Sequence, residues 1–151
     1  MEPQSSITYA SFVSRKIVCI ALTMEDLNNL DFFTSDIKNA HLQAPVTKKI
    51  WTVCGHEFGV NSGKQSIVVR ALYGLKSSGF AFRNHLSQCM SDLGYYSCKA
   101  YPDVWMRACT NPYRTNSYEY VILYVEDILC MSKNSRKVIG SIDKFFLMQH
   151  C

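Results

Sequence analysis

The sequence lacks the patterns that mark several large classes of protein. No apolar run approaches the roughly 18 residues of a membrane span. The segment from Met1 to Ser6 has neither the basic start nor the apolar centre of a signal peptide. Lysine and arginine form no extended run, so the net charge of +4 permits a polyanionic partner without requiring one. We therefore expect an intracellular protein, cytoplasmic or nuclear, with no membrane partner.

The sequence also lacks a Cys-x-x-Cys pair, although it contains seven cysteines. An odd number cannot pair completely into disulfides, and several of these cysteines lie in apolar segments. Buried free thiols in a reducing compartment are the favoured interpretation, and a disulfide framework is the alternative. The rest of the composition, with 48% apolar and 19% charged residues in 151, is typical of one globular domain.

The most informative segment that is present is an acidic pair, Glu126-Asp127. It lies in the segment Tyr124-Val125-Glu126-Asp127, whose flanks, Tyr120–Leu123 and Ile128–Met131, contain no glycine or proline and predict the two strands of a hairpin. Two adjacent negative charges at the tip repel each other and lose hydration on burial. A bound divalent cation relieves both penalties, so the tip is a candidate metal site. A solvated acidic turn is the alternative.

A second acid, Asp36, lies near the end of another predicted strand, Phe32–Ile37. Aspartate is unfavourable within a strand and needs a reason to be there. If this strand neighbours the hairpin, Asp36 joins Glu126 and Asp127 around one point, and such carboxylates suit Mg²⁺. Two ions would stabilise the attacking and leaving oxygens of phosphoryl transfer. In the alternative interpretation, Asp36 caps the turn that follows it.

The order of predicted elements indicates an α+β fold with helices on one face of an antiparallel sheet. The spacing of apolar residues predicts a helix that begins after Ser14 and ends near Asn28-Asn29, a second helix after Gly79 and a third from Ser135. Further strands are predicted at Ile50–Cys54, Gln65–Arg70 and Val104–Arg107, with loops at Pro45 and over 111–117.

Three segments, in this order, resemble successive motifs of the copia-type retrotransposon reverse transcriptase. They are Asp36-Ile37-Lys38-Asn39-Ala40-His41-Leu42, Ala71-Leu72-Tyr73-Gly74-Leu75-Lys76-Ser77-Ser78-Gly79 and Tyr124-Val125-Glu126-Asp127-Ile128-Leu129. The similarity runs from about Tyr9 to Met148. It implies a polymerase palm from a transposable element, which extends DNA on an RNA or DNA template-primer with dNTPs.

The resemblance also implies roles for single residues. Asp36, Glu126 and Asp127 match the catalytic acids that bind metal, with two Mg²⁺ or Mn²⁺ ions in an active enzyme. The positions implied to lie near the template or the incoming nucleotide are His41, Tyr73, Gly74 and Lys76. Without the resemblance, Lys76 is equally well explained as a solvated lysine in a turn.

Two of the departures from the family motifs bear on the expected activity. Glu126 replaces the first aspartate of Tyr-Val-Asp-Asp. Its carboxylate lies about one bond length further from the backbone than that of an aspartate, and Mg²⁺ tolerates displaced ligands poorly. We expect a large loss of rate. His41 replaces a phenylalanine or tyrosine whose ring excludes the 2′-hydroxyl of ribonucleotides, so we expect weaker selection of dNTPs over rNTPs in an active form.

The extent of the chain bears on the expected activity. Residues 1–8 are a predicted polar tail, and 9–151 form the predicted reverse-transcriptase palm domain. Few residues precede Asp36 or follow Asp127, which predicts incomplete fingers and no thumb. Two interpretations stay open: an RNA-directed DNA polymerase impaired at Glu126, and a non-catalytic retrotransposon remnant that at most binds nucleic acid. The sequence leaves any protein partner unidentified.

Overall fold

The computed structural model of the protein describes residues 13–75, 77–110 and 116–150. Within these ranges the fold is mixed α and β with antiparallel sheets, which confirms the predicted class. The polar tail predicted over residues 1–8 lies outside the described part of the chain, and so does Lys76.

The described residues form eight strands, two of which make a separate sheet. The strands are β1 (Asp31–Ile37), β2 (Pro45–Val53), β3 (Gln65–Arg70), β4 (Tyr96–Ser97), β5 (Val104–Thr110), β6 (Asn116–Tyr124), β7 (Asp127–Ser132) and β8 (Met148–His150). The main sheet has the order β4-β5-β6-β7-β1-β8, and β2 pairs with β3 alone. Because β1 lies beside β7, the two acid-bearing strands are direct neighbours.

Helices connect and cover these strands. They are α1 (Arg15–Asn28), α2 (Ala40–Gln43), a 3₁₀ helix (His56–Asn61), α3 (Ser78–Asp92) and α4 (Ser135–Ile142). Helix α1 follows the extended residue Ser14 and ends where Asn29 takes a left-handed conformation with φ 49°. That conformation lets the Asn29 N–H donate to a carbonyl of the last helical turn. The sequence predicts both boundaries correctly.

The larger core lies between one face of the main sheet and helices α3 and α4. Side chains alternate along a strand, so Val121 and Leu123 of β6 share this face with Ile128 and Cys130 of β7. The helices contribute the buried residues Phe82, Leu86, Met90, Val138, Ile139 and Ile142. This arrangement follows the predicted layer of helices on a sheet.

Helix α1 packs on the opposite face of the sheet. Ile17 and Ala21 of α1 form a second, smaller core with Ile122 and Met131. The prediction that helices cover one face therefore holds for α3 and α4 and is corrected for α1. The physical reason is that the β6–β7 hairpin is apolar on both faces, and each apolar face needs cover from water.

A polar cluster joins β5, β6 and β7 at one side of the sheet. The carboxylate of Glu119 accepts hydrogen bonds from Arg107 Nε and Nη2 at 3.0 and 2.7 Å, and from the Tyr95 hydroxyl at 3.0 Å. These three donors bind Oε2, and the second carboxylate oxygen of Glu119, Oε1, accepts a hydrogen bond from Ser132 Oγ at 3.1 Å. A half-buried carboxylate is stable here because each oxygen has a donor and a cation lies beside it.

The cysteines of the described residues are free. Cys54, Cys89 and Cys130 are buried, Cys98 and Cys109 are partly exposed, and Cys19 is exposed. The thiols of Cys89 and Cys130 lie in the larger core. This agrees with the favoured interpretation of the cysteines as small apolar side chains, and Cys151 lies outside the described residues.

Some short elements do not follow from the sequence pattern. Helix α2 and strands β4 and β8 are too short to produce a readable hydrophobic period. The loop predicted at Pro45 is wrong, since Pro45 is the first residue of β2, where a missing N–H is tolerated. Of the loop predicted over 111–117, residues 116 and 117 belong to β6 and 111–115 are outside the described residues.

None of the described helices combines the length and the apolar character that a membrane crossing requires.

Candidate active site

Asp36 and Asp127 lie directly opposite each other in the paired strands β1 and β7. Directly paired residues of antiparallel strands point to the same face, with Cβ atoms about 4.5–5.5 Å apart. Asp36 is half-buried and Asp127 is exposed. Two carboxylates in this position destabilise the strand pair by mutual repulsion, so the site is suited to a cation that neutralises them.

The two aspartates belong to a row of four side chains that crosses the sheet. Gln149 of β8 pairs with Asp36, and Tyr124 of β6 pairs with Asp127. The row lies on the face that α1 covers further along the strands, because Leu129 follows Asp127 by two residues and packs against the α1 core. Next to the row, a cavity of ≈ 340 Å³ lies between the N-terminal part of α1 and the sheet. Asp127 and Tyr124 line this cavity.

The hairpin turn consists of Val125 and Glu126, between β6 and β7. Val125 has a φ of 55°, an outlier for a β-branched residue. A positive φ at the first turn residue alone is the φ pattern of a type II′ turn, which usually has glycine there. The backbone N–H of Ile37 donates to the Glu126 carbonyl at 2.9 Å, so this strained tip is tied to the end of β1.

Glu126 contacts Tyr73 rather than the aspartate pair. The Tyr73 hydroxyl donates to Glu126 Oε2 over 3.3 Å, which is long for an O–H···O hydrogen bond and therefore weak. Desolvation raises the pKa of Tyr73, and the negative charges of Glu126 and, less strongly, Asp36 raise it further. Tyr73 thus lies within electrostatic range of Glu126 in the turn and of Asp36 near the end of β1.

His41 lies on α2, four residues after β1 ends, and contacts two aromatic rings. Its ring centroid is 4.5 Å from that of Tyr73 and 5.8 Å from that of Phe82, both in edge-to-face geometry. Its Nδ1 atom is buried without a hydrogen-bond partner among the described residues. The structure therefore brings His41 and Tyr73, both predicted to lie near a nucleotide, into one aromatic cluster.

Gly74 adopts a φ of 90°, in the left-handed region that favours glycine, within the turn before α3. The sequence correctly predicts a turn here followed by a helix. The predicted contact of Lys76 falls on a residue outside the described ranges.

The residues fit a metal ion in part. Asp36 and Asp127 supply hard oxygen ligands from one face, as Mg²⁺ prefers. Within the described residues, however, no three Asp, Glu, His or Cys side chains lie close enough together to hold one ion. Glu126 is the acid that does not join the pair, since it belongs to the turn and contacts Tyr73.

A comparison with protein families identifies the family of the chain. A family model described as reverse transcriptase (RNA-dependent DNA polymerase) matches residues 6–149. The chain belongs to the reverse transcriptase family. This family is found in copia-type elements, uses divalent metal ions, and acts on a nucleic-acid template-primer and dNTPs. No curated relative matches the chain significantly.

Sequence reasoning missed two residues of the row that contains Asp36 and Asp127. Tyr124 faces Asp127 across the hairpin, which a two-residue turn at Val125-Glu126 would have predicted through strand register. No sequence signal predicts the position of Gln149, because β8 is only three residues long. Gln149 lies beside Asp36 only because β8 pairs with β1 in the folded chain.

Proposed function

We propose that this chain is the palm of a copia-type RNA-directed DNA polymerase, with Asp36 and Asp127 as its main metal-binding acids. The observation that carries the proposal is the direct pairing of these two aspartates on adjacent strands at the tip of a strained hairpin. Membership of the reverse transcriptase family supports it independently of that geometry. The reaction is nucleotidyl transfer from a dNTP to the 3′-hydroxyl of a primer, in which a bond from the 3′-oxygen to the α-phosphorus replaces the bond to pyrophosphate, and pyrophosphate and the hydroxyl proton are released.

The proposed role of each side chain follows from its chemistry. Asp36 and Asp127 would hold the divalent ions, which when bound would activate the primer hydroxyl and neutralise the charge that develops on the leaving pyrophosphate. His41 and Tyr73 form an aromatic cluster beside these acids, which supports a role in contacting the sugar or base of the incoming nucleotide. Gly74 permits the sharp turn that carries Tyr73.

Glu126 lowers the activity in this proposal. Its carboxylate is one methylene further from the backbone than an aspartate would be, and it makes a hydrogen bond with Tyr73. Catalytic geometry is sensitive to displacements of about 1 Å, which cost on the order of 10²-fold in rate. In this proposal the chain is therefore a slow enzyme, because only two of its three acids are placed to bind the metal ions.

A second function is favoured by one observation, the absence of a three-ligand group among the described residues. In that case the chain is a non-catalytic member of the family that binds nucleic acid. Binding would depend on salt because Lys and Arg contacts to phosphates release counterions. The two functions differ in whether any nucleotide is incorporated.

Primer extension on a primed RNA template, with Mg²⁺ or Mn²⁺, tests the proposal. We expect slow extension by the natural chain and extension about a hundredfold faster by Glu126→Asp. Asp127→Ala is expected to extend no primer. Glu126→Gln serves as the matched control, because it keeps the length of the side chain and removes the charge.

Each outcome has a distinct meaning. Equal rates for the natural chain and Glu126→Asp would contradict the role assigned to Glu126. Extension by Asp127→Ala at the natural rate would exclude the proposed acid pair. If neither the natural chain nor Glu126→Asp extends a primer while both bind it in a salt-dependent manner, the non-catalytic function is correct.

A further inference from the structure

An ion pair joins helix α3 to the sheet close to the β6–β7 hairpin. Nη2 of Arg83 in α3 lies 2.5 Å from Oδ1 of Asp103, the residue that precedes β5. The two side chains are 31% and 12% exposed, so this charge-assisted hydrogen bond is partly buried. The backbone carbonyl of Asp103 accepts a hydrogen bond from the N–H of Leu123 at 3.0 Å, one residue before β6 ends opposite Asp127. Asp103 is therefore bonded to α3 through its side chain and to β6 through its backbone.

Helix α3 leads to the other side of the proposed active site, the turn that carries Tyr73. The hydroxyl of Ser78, the first residue of α3, donates to the carbonyl of Leu72 at 2.6 Å, which fixes the start of the helix to this turn. The ring of Phe82, the residue before Arg83, contacts the ring of His41. The position of α3 over the sheet thus determines how far the turn and its aromatic cluster lie from the aspartate pair.

The ion pair is better suited than the neighbouring contacts to set this position. A second polar contact between the two sides, from the Tyr73 hydroxyl to Glu126, is exposed and long at 3.3 Å. The apolar contacts of α3 with the sheet are non-directional, so they specify the rotation and sliding of the helix less sharply. The planar guanidinium of Arg83 fixes direction as well as distance in its bond to the carboxylate.

The surroundings of Asp103 indicate that the pair contributes little to stability. Burial raises the pKa of Asp103, and the charge and the hydrogen bond of Arg83 lower it by less, so that the pKa stays above its ordinary value. The folded protein therefore disfavours the Asp103 carboxylate relative to water despite the adjacent arginine. Buried ion pairs can often be replaced by apolar residues of similar volume without loss of stability. A role in positioning explains the pair better than a role in stability.

We propose that Arg83 and Asp103 are positioning residues for nucleotidyl transfer, which hold the turn that carries Tyr73 at the required distance from the aspartate pair. The inference rests on the proposed function, since the turn and the aspartate pair are its nucleotide and metal sides. In this role neither residue touches the substrate. Both act through α3 and β6, whose relative placement determines where a nucleotide beside Tyr73 meets ions held by the aspartates. A displacement of about 1 Å between the two sides costs on the order of 10²-fold in rate.

The double variant Arg83→Met/Asp103→Leu tests the proposal, because it removes both charges together and keeps side chains of similar volume. We expect its free energy of unfolding in urea to stay close to that of the natural chain. Primer extension is measured in the Glu126→Asp background, where kcat should fall by roughly 10- to 100-fold. The Mg²⁺ concentration that gives the half-maximal rate should not change, because the pairing of β1 with β7 places the two aspartates.

A nuclear Overhauser contact between the Tyr73 ring and the Glu126 side chain provides a readout that needs no activity. We expect this contact in the natural chain, where the two side chains are hydrogen-bonded. The double variant should lose it and keep the contacts between the paired strands at Asp36 and Asp127. If neither the natural chain nor Glu126→Asp extends a primer, the proposed function fails, and this readout still decides whether the ion pair positions the turn.

Asp103→Asn is a second variant, which decides the matter if the double variant does not fold. It keeps the side-chain volume and an acceptor for Arg83, removes the charge, and is expected to lower kcat by a smaller factor. The proposal is overturned if the folded variants retain the kcat of the Glu126→Asp chain, or if they keep the contact between Tyr73 and Glu126. It is also overturned if the Mg²⁺ requirement rises together with the loss of rate, since the ion pair then supports the sheet rather than the position of the turn.

Discussion

Glu126 and Asp127 are adjacent in the chain and have different surroundings. Asp127 is the first residue of β7 and pairs with Asp36, whereas Glu126 belongs to the turn and contacts Tyr73. The difference arises because a turn residue does not follow the alternation of a strand. An acidic pair read from sequence therefore separates into one strand carboxylate and one turn carboxylate.

His41 leads to a prediction about stability at the same scale. Its buried Nδ1 has no partner among the described residues, and an unpaired buried polar atom costs about 1–3 kcal/mol. His41→Phe keeps the edge-to-face contacts and removes this atom, so we expect the free energy of unfolding to rise by about 1 kcal/mol. Urea denaturation measures the change.

His85→Phe provides the matched control. His85 is also partly buried and lies edge-to-face against Phe146 at 5.0 Å, but no unpaired buried nitrogen is found there. The free energy of unfolding should rise less in His85→Phe than in His41→Phe. Equal gains in the two variants would mean that ring size, and not the unpaired nitrogen, determines the effect.

At the scale of the secondary-structure element, the β6–β7 hairpin determines where the acids lie. Its two apolar arms are readable from sequence because glycine and proline do not interrupt them, whereas the turn is not, since the sequence placed both acids at the tip and the structure places Asp127 in β7. The strain at Val125 is not readable, since valine is a favourable strand residue and its positive φ arises only from the closed turn.

Val125→Gly tests this strain. A residue held at an unfavourable positive φ costs on the order of 1–3 kcal/mol, and glycine removes that cost at an entropic penalty of roughly 0.5–1 kcal/mol. Val125 is 49% exposed, so little burial is lost. We expect the free energy of unfolding to increase by about 1 kcal/mol in thermal or urea denaturation. Val125→Ala keeps the Cβ atom and is expected to give no such gain, so an equal gain in both variants would contradict the strain.

At the scale of the whole molecule, the larger core determines how stability depends on pH. Burial raises the pKa of Cys89 to about 12, with a contribution from the Asp92 charge, and burial raises the pKa of Cys130 to about 12. Burial and the charge of Glu119 also raise the pKa of Tyr95. These groups keep their protons in the folded state after the unfolded chain has lost them.

The consequence is a loss of stability in alkaline solution. The folded state binds more protons than the unfolded state between about pH 9 and 12, so the free energy of unfolding falls as pH rises through this range. Each thiol contributes at most about 1.4 kcal/mol per pH unit. Urea denaturation with a reductant at pH 8 and pH 10.5 measures the fall. Cys130→Ala should reduce its slope, and a free energy that stays constant to pH 11 would contradict the prediction.

The sequence by itself determined the elements with strong local signals. The limits of α1, the turn and helix after Tyr73, and the hairpin around Glu126-Asp127 follow from apolar period and the residues at the ends. Three ordered motifs also indicated a reverse transcriptase, which the comparison confirms, while the copia-type assignment stays a prediction. These features are local because each depends on neighbouring residues of one segment.

Only the tertiary structure decided which distant residues meet. The placement of β1 beside β7 set Asp36 opposite Asp127, and β8 brought Gln149 to the same row. The packing of α1 on the second face depends on both faces of the hairpin requiring cover, which the pattern of α1 alone does not specify. Strand order and the choice of face result from the burial of apolar surface over the whole chain, so they cannot be read from any single segment.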